Sequence, residues 1–227
     1  MSQGQGKVVL VTGATDGLGR GVALALAKQG LTVLVHGRDP ARIAATLDEV
    51  RRAGAAEARS YRADLASLEE VRGLAAALAE EPRLDVLVNN AGIGTRVPGG
   101  GARQVSRDGH ELRFAVNYLS HYLLTRSLVP LLERSAPARI VHVSSAGQAP
   151  IDFGDPMLTR GYDGTRAYCQ SKLAQILSTI DMAGELAARG VTVNALHPAT
   201  YMPTKIVPSP MSTLEEGVEA TVHLATG

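Results

Sequence analysis

A chain of 227 residues with 23 Lys plus Arg against 22 Asp plus Glu carries a formal net charge of +1, which excludes the clustered basic excess of a nucleic-acid or anionic-membrane binder. Hydrophobic residues at 45% are too many for a disordered chain, and six Tyr, two Phe and no Trp leave the core to aliphatic side chains. A single Cys excludes a disulfide framework and a cysteine-based zinc site, and makes a reducing compartment, the cytoplasm, the expected setting.

In chain order, Lys7 to Val11 (KVVLV) is a compact apolar run that predicts a strand buried on both faces. Gly17 to Gly30 predicts a helix with Gly30 as its stop, and Thr32 to Val35 the next strand. A helix over Ala41 to Arg52 ends before Gly54. A weaker strand follows over Ala58 to Tyr61, then a helix from Leu68 to Ala79 ahead of Pro82. Leu84 to Val88 is a strand that runs into Asn89-Asn90-Ala91-Gly92, and the Gly-rich stretch from Ile93 to Asp108 reads as loop. A long helix is expected over Leu112 to Leu132, with Pro130 as a kink or an end. Ile140 to Val143 is a strand, Ala146 to Thr165 a loop, Arg166 to Arg189 a helix and Val191 to Leu196 a sixth strand. The proline-rich segment His197 to Pro210 reads as loop and Leu214 to Ala225 as a last helix. Six strands alternating with helices predict one α/β domain over residues 1–227, a doubly wound parallel sheet of Rossmann type. No apolar run approaches the roughly 18 residues of a membrane span, and the polar start MSQGQGK is no signal peptide.

Ligands of such sheets bind outside the carboxyl ends of the strands. Here the first strand ends in Thr12-Gly13-Ala14-Thr15-Asp16-Gly17-Leu18-Gly19. Gly13 allows a tight turn, Gly17 lets a pyrophosphate approach the backbone at a helix N-terminus, and Gly19 lets helix pack close to strand. The spacing G-x3-G-x-G departs from the commoner G-x-G-x-x-G.

Thr12-Gly13-x3-Gly17-x-Gly19, then Asn89-Asn90-Ala91-Gly92, Asn117, Ser145 and Tyr168-x3-Lys172 occur in that order. Together they resemble the short-chain dehydrogenase/reductase family over essentially the whole chain. The Ser-to-Tyr insertion and the segment Phe114 to Thr125 look most like its retinol-dehydrogenase-like and WW-domain-oxidoreductase-like branch. The resemblance implies an NAD(P)-dependent oxidoreductase interconverting a ketone or aldehyde with an alcohol.

Tyr168 and Lys172, four apart, share a helix face. A phenol with an ordinary pKa of ~10 needs help to exchange protons at neutral pH, and a nearby ammonium favours the phenolate. Tyr168 is thus the expected acid/base, with Lys172 lowering its pKa and, by the resemblance, holding the nicotinamide ribose. Ser145 matches the family position that orients the substrate oxygen, with Ser144 as the alternative at the same strand end. The resemblance gives Asn117 a water that relays protons to the lysine; the other reading is a buried Asn that satisfies backbone groups. It also implies that Gly13, Thr15, Asp16, Gly17, Leu18 and Gly19 line the cofactor, joined by Asn90, Ala91 and Gly92 after the fourth strand. Asp64 and Leu65 would contact adenine, Asp64 doubling as a helix N-cap.

NAD-preferring members carry an acid at the end of the second strand. Here Gly37 stands there, followed by Arg38, a partner for a 2′-phosphate, so NADP(H) is favoured over NAD(H). Against this, Asp16 falls where many NADP-preferring members have Lys or Arg. Asp39, ahead of Pro40, reads as a helix cap. After the sixth strand the usual Pro-Gly is replaced by Pro198-Ala199, and Thr200 or Thr204 would bond the carboxamide or phosphate. His142 reads as a core histidine, and His197 lies beside the cofactor loop. Cys169 reads as packing and Tyr162 as a surface turn near the substrate. No His set has metal-ligand spacing. The implied partners are a small carbonyl or alcohol substrate and a second copy of the chain, paired through the helices bearing Asn117 and Tyr168. A different class of reading is a nucleotide-sensing protein that kept the fold and lost turnover. The family's usual seventh strand and substrate-lining C-terminal segment do not follow Gly227. The sixth strand is therefore expected as a bare edge, or the chain as a shortened form of a longer one.

Overall fold

The computed structural model describes residues 6–95, 102–200 and 211–227. Six strands form one parallel sheet: β1 (Val8–Val11), β2 (Thr32–Gly37), β3 (Ala58–Arg62), β4 (Val86–Asn89), β5 (Ala138–Val143) and β6 (Val191–Leu196). Their order is β3-β2-β1-β4-β5-β6, so the chain direction reverses across the sheet between β1 and β4. That is the switch point where the carboxyl ends of strands open a crevice. Among the described residues β3 and β6 are the edges, and β6 has β5 as its sheet neighbour.

Period-two alternation sorts the strand side chains onto two faces. Leu10 pairs in register with Leu34 and Leu87, Leu87 with Ile140, and Ile140 with Val193. This row packs on helices α3 (Leu68–Ala79), α5 (Ser120–Arg134) and α6 (Gly164–Leu186) through Leu74, Leu78, Leu124, Leu128 and Met182. The opposite face, Val9, Val11, Val33, Val35, Val86, Val88 and Val141, meets α1 (Gly17–Lys28), α2 (Pro40–Arg52) and α7 (Leu214–Thr226). A Cβ on Gly21 would lie 2.6 Å from Val218 Cγ2, so this glycine is what brings α1 against α7. Aliphatic burial on both faces is what so few aromatics require. Among the described residues no helix is long and apolar enough to cross a membrane.

Several boundaries differ from the sequence expectation. The second strand runs on through His36 to Gly37 because both are buried and paired with β3. The helix expected over Leu112 to Leu132 is not uniform. A short α4 (Leu112–Phe114) widens into a π-turn over Ala115–Leu119, where Ser120 N–H donates to the Ala115 carbonyl, before α5 begins. Pro130 neither ends nor breaks α5, which continues to Arg134. The helix bearing Tyr168 starts at Gly164, capped by Asp163, whose carboxylate accepts from Arg166 N–H at 2.6 Å. It closes through a 3-10 turn, Ala187–Arg189, onto Gly190 at φ 74°. The expected loop after β4 contains a small antiparallel bridge between Val105 and Glu111.

Candidate active site

The turn after β1 depends on glycine at two close approaches. Gly13 has φ 65°, and a Cβ there would lie 2.9 Å from the Cα of Ala91. At Gly19 a Cβ would fall 2.3 Å from the Gly13 carbonyl oxygen and from Asn90 Nδ2, so no other residue lets α1 approach so closely. Thr12 Oγ accepts the backbone N–H groups of Asn90 (2.9 Å) and Ala91 (3.1 Å), and Asn90 Nδ2 donates to the Thr12 carbonyl at 2.9 Å. The predicted Asn90-Ala91-Gly92 segment is thereby stapled to the glycine turn across the switch point. His36 Nδ1 accepts the Gly13 N–H at 3.2 Å while its Nε2 donates to the Ala63 carbonyl at 3.2 Å. Burial pushes its pKa down to about 4, so it supports the turn as a neutral ring. Thr12 and His36 were not foreseen as site residues. The signal available was a polar residue at the end of one apolar run and inside another.

Asp16 caps α1, accepting from Gly17 N–H at 2.9 Å, and its other oxygen pairs with Arg42 of α2 at 2.6 Å. Arg42 also donates to the Thr15 carbonyl at 3.3 Å. Arg42 thus brings a cation from the next helix up to the glycine turn. A Cβ on Gly37 would stand 2.6 Å from Thr15 Cγ2, so Thr15 excludes an acid at that strand end. Arg38 lies beyond, its side chain 71% exposed and 3.6 Å from Asp64. Asp39 caps α2 as expected, accepting from Arg42 N–H at 3.0 Å. Asp64 does not cap α3. Ser67 does, accepting from Glu70 N–H, while Asp64 accepts from Ala66 N–H at 3.1 Å, because the chain needs three more residues to enter the helix. Leu65 is buried and Leu18 packs under the turn with Val22 and Leu26.

At the carboxyl end of β5 the two serines separate. Ser144 donates to the Lys172 carbonyl at 3.0 Å and is buried. Ser145 faces the site: its hydroxyl is hydrogen-bonded to the Tyr168 phenol and accepts from Gly147 N–H at 3.0 Å. The geometry therefore selects Ser145 as the companion of Tyr168. The expected lowering of the phenol by Lys172 does not occur in this arrangement. Burial pushes the Tyr168 pKa up, outweighing the Ser145 bond that pulls it down. Lys172 Nζ is turned away, donating to the Val143 carbonyl at 2.8 Å and to Gln175 Oε1 at 3.0 Å. It lies over the Tyr168 ring, 5.7 Å from the centroid, and its hydrogen bonds go to Val143 and Gln175 and not to the phenol. Burial pushes the lysine down to about 7.

Asn117, in the π-turn, is fully buried. Its Oδ1 accepts from Ile93 N–H at 2.8 Å, and its Nδ2 donates to the Ile93 carbonyl at 3.1 Å and to Ser171 Oγ at 3.0 Å. Of the two readings of Asn117, these bonds are the one that satisfies backbone groups, and they fix the strand-four loop over α6. Gly92 fits between the two walls: a Cβ there would stand 3.4 Å from Asn117 Oδ1 and 3.9 Å from Lys172 Nζ.

Tyr162 is not a surface turn. Its hydroxyl donates to Glu111 at 3.0 Å and accepts from Arg113 at 2.5 Å, and Arg113 and Glu111 are both fully buried. Arg113 also reaches the carbonyls of Gly94 and Thr95, tying the loop after β4 to the loop before α6. Single-residue reading gave no sign of this, because the partners are some fifty residues apart. His142 is a buried core histidine pushed down to about 4 by burial. The Cys169 thiol is half-buried and pushed up by burial, in keeping with packing. His197 Nε2 lies 3.3 Å from Thr200 Oγ, beside Pro198. Thr204 falls outside the described residues.

The family described as short chain dehydrogenase matches residues 7–213. Retinol dehydrogenase 13 of Mus musculus is 43% identical over 198 residues, covering 85% of this chain and 58% of that protein. The chain thus spans about three-fifths of the length of the curated relatives it matches. The solved structure of the Pseudomonas aeruginosa RhlG/NADP active-site complex superposes with a TM-score of 0.80 at 28% identity, covering 100% of this chain and 92% of that one. A metagenomic short-chain oxidoreductase in complex with NADP gives 0.78 at 29%, covering 100% and 93%.

Proposed function

Because the chain belongs to the short-chain dehydrogenase family, in its retinol-dehydrogenase-like branch, we propose that it is an oxidoreductase interconverting a ketone or aldehyde with an alcohol, with NADP(H) favoured over NAD(H). The observation that carries the reading is the convergence of Tyr168, Ser145 and Lys172 at the end of β5, beside the glycine turn at the switch point. The whole chain is read as one dinucleotide-binding domain.

The residues present fit a nicotinamide dinucleotide. Gly13, Thr15, Asp16, Gly17, Leu18 and Gly19 would hold its pyrophosphate against α1, where N–H groups and the helix dipole favour anions. Arg38 would take the 2′-phosphate, and Asp64 and Leu65 the adenine. Asn90, Ala91 and Gly92 would line the nicotinamide side with Pro198 and Thr200. When bound, the cofactor supplies or accepts the hydride. Tyr168 then supplies the proton: with its pKa raised by burial it is a neutral phenol at physiological pH, which suits protonation of a carbonyl oxygen. Ser145 hydrogen-bonds that same oxygen as charge develops. Lys172 would hold the ribose. Asn117 acts by fixing the wall opposite Lys172.

NADP is supported by three features: Thr15 bars an acid at Gly37, Arg38 projects an exposed guanidinium, and Arg42 neutralises Asp16. Pairing of two copies through α5 and α6 is supported by exposed Tyr122, Leu177 and Ile180 on those helices. The single cysteine accords with a cytoplasmic setting.

The test is oxidation of NADPH with a panel of ketones and aldehydes. Wild type is expected to turn over at least one of them, and Tyr168→Phe to fall by a factor of about 100 or more with NADPH affinity kept. An undiminished Tyr168→Phe would remove the tyrosine from this role. Tight NADPH binding by wild type with no turnover would favour the nucleotide-sensing reading.

A further inference from the structure

Lys172 is 5% exposed, yet among the described residues no carboxylate lies within 4.0 Å of its ammonium. The groups that face it are neutral: Tyr168 on its own helix, His142 from β5, His121 from α5 and Asn117 from the π-turn. Its two acceptors are the Val143 carbonyl and the Gln175 carboxamide, one turn further along α6. Gln175 is itself 1% exposed.

The surroundings fix which way that carboxamide points. Thr12 Oγ accepts two backbone N–H groups, and its one proton lies between the Val88 carbonyl at 3.3 Å and His121 Nε2 at 3.2 Å. His121 Nδ1 faces the Asn117 carbonyl at 3.2 Å, which can only accept, so the ring carries its proton on Nδ1. The Gln175 amide nitrogen, 3.5 Å from that protonated nitrogen, meets a donor there. The firm bond of the Gln175 side chain is the one its oxygen makes to Lys172. An amide flip would set NH2 against ammonium.

We propose that Gln175 is a positioning residue for Lys172: its neutral oxygen, with the Val143 carbonyl, draws the ammonium back over the Tyr168 ring as a tether that releases it to other partners in the site. A carboxylate at the same place would hold the lysine as a buried ion pair. An apolar residue would leave it a backbone acceptor and free it to approach the phenol. The deduction rests on the oxidoreductase reading of the site but concerns the lysine, which is observable without turnover.

Gln175→Glu, Gln175→Leu and the milder Gln175→Asn are compared with wild type as full-length protein. Lys172 is titrated by NMR with lysine labelled at the ε position, assigned by its loss in Lys172→Met, and the pH profile of kcat is measured alongside. Gln175→Glu is expected to raise the Lys172 midpoint by about one pH unit or more, with the corresponding limb of the kcat profile moving by the same amount. Gln175→Leu is expected to move both in the opposite direction, and Gln175→Asn, which keeps an amide at shorter reach, to fall between Leu and wild type. Should Glu or Leu prevent folding, the Asn variant alone still has to shift the midpoint. Midpoints identical to wild type in every folded variant would overturn the assignment. If the midpoints move as expected and no carbonyl is reduced by any protein, the tether stands and the oxidoreductase reading fails. If turnover proceeds with superimposable profiles, the tether fails and the oxidoreductase reading stands.

Discussion

At the scale of single residues, Gly37 and Arg38 act together. Thr15 packs so tightly on Gly37 that the strand end has no room for a side chain, and the first charge the chain offers beyond it is the exposed guanidinium of Arg38. Its pairing with Asp64 at 3.6 Å is loose and solvent-screened, so little binds it in place. Arg38→Ala is therefore expected to weaken NADPH binding by about 10- to 100-fold, the scale of one charge-assisted contact to phosphate, and to leave NADH binding nearly unchanged. Fluorescence titration with both cofactors checks this, and equal losses would remove Arg38 from the 2′-phosphate. Much at this scale was legible in the sequence. Tyr168 and Lys172 share a face because helices repeat at 3.6, and the glycine turn declares itself by position after an apolar run. What escaped were the side chains those residues lean on. Arg42 answers Asp16 from another helix, and Thr12, at the end of β1, meets His121 of α5. Such pairs follow from tertiary proximity, which local spacing does not encode. The direction of the Tyr168 shift escaped for the same reason: burial, not the neighbouring ammonium, decides it.

At the scale of elements, α5 and α6 carry their polar and apolar residues in an unusual distribution. Their inner faces hold Asn117-linked and Lys172-linked polar networks, while Ile180 stands 63% exposed on α6 with Leu177 and, on α5, Tyr122. The rings of Tyr118 and Tyr122 lie 5.9 Å apart, tilted at 46°. An apolar ridge of this kind is the sort of surface a second copy buries. Ile180→Glu is expected to lower the solution mass to that of one chain by light scattering, with its circular dichroism unchanged; a wild type already monomeric, or a variant of unaltered mass, would dismiss the pairing. The helical period announced α5 over Leu112 to Leu132, but the π-turn did not show, since AVNYL has the same apolar pattern wound either way. Pro130 is tolerated because it lies on the exposed side of α5, where its ring faces solvent and not the core.

At the scale of the whole molecule, the doubly wound parallel sheet was legible because strands and helices alternate along the chain with glycines at their turns, whereas the strand order and the make-up of each packing face come from the structure. The buried titratable groups impose a pH dependence that composition hides. Burial holds His36 and His142 down near 4, and His121 well below its ordinary value. In the unfolded chain His36 and His142 take up their protons near 6.5, while in the folded chain they do not until about 4. Their stabilising contribution is complete above 6.5 and is lost between there and about 4, by roughly 3 kcal/mol for each of His36 and His142. Lys172 works at the other end: pushed from 10.5 to about 7 by burial, it adds stability as pH rises through that window. The urea midpoint should therefore climb from pH 5 to pH 7.5, and His142→Gln should flatten the climb; equal midpoints at the two pH values would contradict the neutral-histidine core.

The π-turn also acts as slack in the chain beside the site. It winds one residue more than an α-turn into Ala115–Leu119, so deleting one there would let the turn relax to ordinary α-helix with α5 kept nearly in phase with α4. His121 would keep its approach to Thr12, while Asn117, inside the turn, would change its angle toward Ile93. A change of length here falls on the one site side chain that the turn itself carries and leaves the helix beyond it in place.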